Sequence, residues 1–73
     1  MNIQHLVKMA NQIGQFFEAE PDQVQAASDV ATHMKRFWDP RMRKAIIEHV
    51  GKGGEGLLPI VQRAVSANPQ LLA

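Results

Sequence analysis

Asp39-Pro40 constrains this chain more than any other pair of residues. Proline at position 40 pushes Asp39 into extended geometry, which is what a helix N-cap requires, and itself suits a first helical position. Helical periodicity runs up to this point from the N-terminal side and resumes beyond it, so the chain turns a corner here. The corner reads "FWDPRM", residues 37–42, and holds the only Trp of the sequence. Two large rings at a breakpoint imply either the closed end of a bundle or a contact with another molecule.

The helices on either side follow from apolar spacing. Asn2 is a suitable N-cap for a first helix over residues 3–19. Ile3, Leu6, Val7, Ala10, Ile13, Gly14 and Phe17 make its stripe. Met9 and Phe16 fall about 80–100° off that stripe and form a second, narrower edge. Pro21 suits the first position of a second helix, residues 21–38, with Asp22 at its positive end. Its face is Val24, Ala27, Val30, Ala31, Met34, Phe37 and Trp38. A third helix, residues 40–50, carries Met42, Ala45, Ile46 and His49 on one face, and Gly51 is expected to close it in a left-handed cap. "GKGGEG", residues 51–56, reads as a linker: it lacks the Walker spacing and no strand precedes it. A fourth helix spans residues 57–67 until Asn68-Pro69 stops it. The expectation is an all-α, single-domain chain over residues 1–73, a compact bundle of three to four short helices.

Seventy-three residues enclose little interior; a domain this small buries only about 60 % of the surface its unfolded chain exposes. Such chains often need a staple or a partner. There are no cysteines, hence no disulfide, no Cys-ligated zinc and no iron–sulfur cluster. No signal peptide or membrane-length apolar run is present, so a cytoplasmic location and no membrane partner are expected. The net charge of +1 is too small to argue for nucleic acid. The charge is nonetheless uneven. Glu18, Glu20, Asp22 and Asp29 make an acidic stretch, and Lys35, Arg36, Arg41, Arg43 and Lys44 a basic one around Asp39.

No residue pattern points to catalysis. Cys and Tyr are missing, and His5, His33 and His49 do not recur on adjacent turns as a metal-binding H-x-x-x-H pair does. His49 reads as a core-edge imidazole with one hydrogen bond. His33, one turn before Phe37, either borders a partner contact or lies on the surface. Of Phe37 and Trp38, one ring is expected inside and one at least partly shared with a partner, because Trp is enriched in interface hot spots. Trp38→Ala should then weaken binding more than it lowers helix content. Lys35 and Arg36 sit favourably in a last helical turn. Arg41 and Arg43 sit unfavourably in a first turn, and either Asp39 or a partner's carboxylate or carbonyl offsets that cost. Met9 and Phe16 form a second interface edge or touch a second neighbouring helix. Asn11 and Gln12 are expected to hydrogen-bond backbone, within the chain or across an interface.

Three stretches together carry a family resemblance: "KMANQIGQFF" in the first helix, "FWDPRMR" at the corner and "GGEGLLPIVQRAV" toward the end. In this order and spacing they resemble the small delta subunit of the soluble NAD-dependent, molybdenum-containing formate dehydrogenases, over nearly the whole chain. In that family a small polar residue commonly precedes the proline of the fourth helix. Leu58 stands there in this sequence, so this helix start is expected to be capped differently. The resemblance implies a non-catalytic accessory chain that binds no cofactor itself and supports assembly or stability of the active enzyme. It further implies a large catalytic partner subunit with a bis-pterin molybdenum cofactor and iron–sulfur clusters, and electron-transfer subunits carrying FMN and binding NAD. The complex interconverts formate and NAD with carbon dioxide and NADH. The alternatives are a transient chaperone for cofactor insertion, a small homo-oligomer, or a small helical nucleic-acid-binding module using the basic stretch.

Overall fold

Capping chemistry sets where the helices start. A computed structural model describes residues 2–73. Asn2 Oδ1 accepts from the backbone N–H groups of Gln4 (2.8 Å) and His5 (3.4 Å), and α1 runs Ile3–Phe17. Asp39 Oδ1 accepts from Met42 N–H at 2.9 Å, and α3 runs Pro40–Gly51 with proline in its first turn. Both caps are those expected from the sequence.

The α1–α2 junction differs from expectation. Helix α1 ends at Phe17, not Ala19, and α2 runs Gln23–Phe37 with Asp22 as its N-cap, not with Pro21 as its first residue. Asp22 Oδ1 accepts from Gln25 N–H at 3.1 Å, so the stronger cap wins over the proline signal. Glu20 ties the turn: its Oε1 accepts from Asp22 N–H and its carbonyl from Gln23 Nε2.

Gly51 is not the left-handed cap. It is the last residue of α3, and the positive φ values belong to Gly53 (111°), Gly54 (63°) and Gly56 (86°). The reversal therefore comes two residues later, where the glycines that follow Lys52 tolerate it. Helix α4 runs Pro59–Ala67 rather than from residue 57, with Leu58 as an N-cap that supplies no side-chain bond. A fifth helix, α5, Pro69–Leu72, was not anticipated: Asn68-Pro69 ends one helix and begins another. It carries Leu72 into the core at 1 % exposure. The chain is all-helical, with four long helices and one short one; no strand occurs among the described residues.

Helices α2 and α4 share the largest interface, α1 and α3 pack on α4, and α5 seals one end against α2, α3 and α4. The radius of gyration is 10.7 Å, close to the value of about 11 Å for a compact chain of this length. The core is built from small and medium side chains: Ala10, Ala26, Ala27, Val30, Ala31, Met34, Ile46, Val61 and Ala64 are all at most 2 % exposed. Ala26 was not on the expected face, and Val24, which was, is 74 % exposed. Small residues let the helix axes approach closely. At Gly14 the approach is closest: a Cβ added there would stand 2.8 Å from Val61 Cγ2 and 3.0 Å from Ile60 Cγ2. Both are methyls of stiff β-branched side chains, so neither can swing aside. Gly14→Val is expected to lower the unfolding free energy by about 2–3 kcal/mol through overpacking, read from the urea midpoint. An unchanged midpoint would mean that α1 and α4 are not so close.

Candidate functional site

Helix α1 meets α2 and the α2–α3 corner along an open groove of about 540 Å³. Met9, Gln12, Ile13 and Phe16 of α1 form one wall. His33 and Phe37 of α2, Trp38 of the corner and Met42 of α3 form the other. Six residues that the sequence marks as candidates thus converge: Met9, Gln12, Phe16, His33, Phe37 and Trp38. The second, narrower edge of α1 faces this groove.

The two corner rings divide the tasks. Trp38 is 6 % exposed and Phe37 is 71 % exposed. The inward ring is Trp38 and the open one Phe37, which reverses the weight placed on Trp38→Ala. That truncation removes a buried ring, for which a typical cost is about 3–5 kcal/mol of stability, so it cannot isolate binding. The backbone explains the division. Trp38 lies just past α2, with extended φ −93° and ψ 139° and its N–H on Met34 O. The break redirects its ring off the helical register, while Phe37 keeps it.

An aromatic series links the walls. Phe16 and Phe17 meet edge to face at 5.0 Å, Phe17 reaches His33 at 6.3 Å, and His33 lies 4.7 Å from Phe37. His33 therefore joins the rings of α1 to those of α2. Phe16 is 79 % exposed, so a phenyl ring stands open on each side. Two such rings and flexible Met side chains, which adapt to irregular surfaces, make a surface suited to burying apolar groups. Methionine tolerates varied shapes; the open phenyls supply area at low entropic cost.

Asn11, Arg41, Arg43 and His49 lie outside the groove. Asn11 is turned to the other side of α1, where Nδ2 donates to Gly56 O and Oδ1 accepts from Leu58 N–H, both at 2.9 Å. It thereby clasps the loop leading into α4 and serves the N–H of Leu58, whose own side chain cannot cap. Gln12 makes no side-chain hydrogen bond among the described residues and is exposed, contrary to the bond to backbone expected of it. Arg41 is exposed. Arg43 is buried at 8 % exposure; it precedes Ile46 by three positions and so shares its face, a register signal that the charge of Arg43 masks. Ile13 and Met42 line the groove although the sequence assigns them to core stripes. His49 Nε2 donates to Glu55 O at 2.7 Å, the single hydrogen bond expected of it. Among the described residues no group of three His, Asp or Glu stands together as metal ligands would. No helix there is long and apolar enough to cross a membrane.

The family model for the NADH-dependent formate dehydrogenase delta subunit, FdsD, matches residues 5–65. The chain belongs to this family. Its match covers α1 through most of α4 and contains every residue of the groove; α5 lies outside it. No curated protein and no solved structure matches. Within this delta-subunit fold, the clasp and the groove occupy opposite sides of α1 and should be separable. Asn11→Ala leaves the half-buried Leu58 N–H without its acceptor and should lower stability by about 1–3 kcal/mol. Gln12→Ala, on the exposed side, should stay within about 0.5 kcal/mol of the unaltered chain. Thermal melts of the two variants check the contrast.

Proposed function

We propose that this chain is a non-catalytic accessory subunit of a formate dehydrogenase complex that docks on the large molybdenum-bearing subunit through the groove between α1 and the α2–α3 corner. The observation that carries the reading is the pair of open rings, Phe16 and Phe37, flanking a Met-lined groove in a chain of the delta-subunit family. Isolated exposed apolar residues are ordinary on a protein surface, whereas a contiguous patch marks an interaction site. Arg41, exposed at the corner, supplies a polar rim that can pair with a partner's carboxylate.

The role is thermodynamic. A partner that binds only the folded chain stabilises it, and the same linkage stabilises whatever state of the partner the groove prefers. The bis-pterin molybdenum cofactor, iron–sulfur clusters, FMN and NAD belong to the other subunits, and the complex works in the cytoplasm. The chain contributes apolar area and geometry rather than chemistry.

The Phe16→Ser/Phe37→Ser double variant tests the surface. Both rings are mostly open, so its melting temperature should lie within about 3 °C of the unaltered chain. Each ring at an interface hot spot contributes about 2 kcal/mol or more, so loss of both should lower affinity for the catalytic subunit by about 1,000-fold. Surface-immobilised catalytic subunit provides the binding measurement, and full retention of affinity would rule the groove out. The role itself is tested by purifying the complex without this chain. Lower metal content or a shorter activity half-life is expected, and equality in both would refute an accessory function. Binding seen only during cofactor insertion, with no stable stoichiometric complex, would favour a chaperone.

A further inference from the structure

Arg43 is enclosed without an acceptor. It is 8 % exposed, and its Nε and Nη1 are shut off from solvent with no hydrogen-bond partner among the described residues. A guanidinium cannot shed its charge inside a protein, so both nitrogens lose hydration with nothing in return. Helical register causes the burial, because Arg43 shares the face of Ile46, which is fully buried.

The local sequence offers no remedy. Asp39, one turn earlier, is the single acidic residue between Asp29 and Glu48; its Oδ1 is engaged with Met42 N–H, and neither of its oxygens bonds Arg43 Nε or Nη1. Over the same stretch stand Lys35, Arg36, Arg41 and Lys44, and the first turn of α3 contains no acid. The orphaned donors, in a stretch of sequence rich in cations, call for an anion from outside the chain.

We infer that Arg43 is a socket for one carboxylate, an Asp or Glu side chain of the catalytic subunit; this rests on the accessory-subunit reading above. Among the described residues, Nη2 does not share the enclosed and unpaired state of Nε and Nη1. Both bidentate edges of an arginine, Nε with Nη2 and Nη1 with Nη2, include that nitrogen. A carboxylate arriving at Nη2 makes a charge-assisted bond there, and a small outward shift of the Arg43 side chain brings a nitrogen that is orphaned in the free chain onto its second oxygen. A nucleic-acid backbone fits less well, since it spreads its binding over many exposed cations, whereas this one is recessed and the net charge is only +1. The socket has opposite effects in the two states: the uncompensated charge weakens the free fold, and its pairing strengthens the complex.

Arg43→Met keeps the length and removes the charge. In the free chain it should raise the melting temperature by about 5 °C, as replacing a poorly compensated buried charge by an apolar side chain does. Binding of the same variant to the catalytic subunit should weaken about 10- to 100-fold, the worth of a charge-assisted pair. Arg43→Lys, charged but without the fork, should weaken binding by less. A lower melting temperature for Arg43→Met would show that Arg43 is satisfied within the chain and overturn the socket. Unchanged binding by Arg43→Met, with the unaltered chain binding well, would overturn the socket alone. Failure of the unaltered chain to bind would overturn the accessory reading and the socket together. Melts in sodium formate against sodium chloride at equal ionic strength separate the sources: stabilisation by formate that Arg43→Met abolishes would assign the socket to a free small carboxylate. DNA binding that is steeply salt-dependent and lost in Arg43→Met would assign it to phosphate. Either result overturns a partner carboxylate.

Discussion

The close approach of α1 to α4 at Gly14 organises the molecule. Val61 and Ile60 of α4 occupy the space that a side chain at position 14 would need. Alanine and valine make up about half of the buried residues around that contact, so the helices lie near one another and leave little room between them. A core made this way takes in one large ring, Trp38, but not the three phenylalanines. Phe16 and Phe37 are excluded from it and Phe17 is half-buried at its margin. The groove is thus the complement of a tight interior: the bulk that the core cannot accept is displaced to its rim, where it becomes binding surface.

Two junctions of the fold were open to a reading of the sequence because local chemistry decides them. Asn2 and Asp39 are short polar residues directly before apolar periodicity, and their side chains close on backbone N–H groups within the same turn. Where two local signals compete, the sequence is ambiguous. At 20–25 the sequence pattern makes Pro21 the first helical residue with Asp22 inside the helix, whereas Asp22 stands outside it as the cap and accepts a hydrogen bond from Gln25 N–H. The glycine run posed the same difficulty, since any of its members can take positive φ, and Gly53 and Gly54 do so rather than Gly51.

The site was legible as a set of residues but not as a surface. Periodicity separates Met9 and Phe16 from the main stripe of α1, yet only the packing of α1 against α2 shows that this edge meets His33 and Phe37. Adjacent residues such as Phe37 and Trp38 differ by whether the backbone is still helical, which depends on the break at Asp39-Pro40. Arg43 is the sharpest case. Its charge suggests exposure, and its register, three residues before Ile46, places it inside; register prevails because a helix cannot rotate one residue independently of its neighbours. Asn11 shows the reverse, a polar residue beside an apolar stripe whose partners, Gly56 and Leu58, lie 45 and 47 residues away.

That separation gives the two walls of the groove different durability. The α2–α3 wall is built from residues within ten positions of one another and is held by a cap inside a single turn. The α1 wall is positioned by α4, through Gly14 and the Asn11 clasp, across more than half the chain. A transient detachment of α4 would loosen one side of the groove and spare the other, in the manner of a jaw hinged on a fixed anvil. Amide exchange in such a molecule is governed by the distant helix on the α1 side and by the local corner on the other.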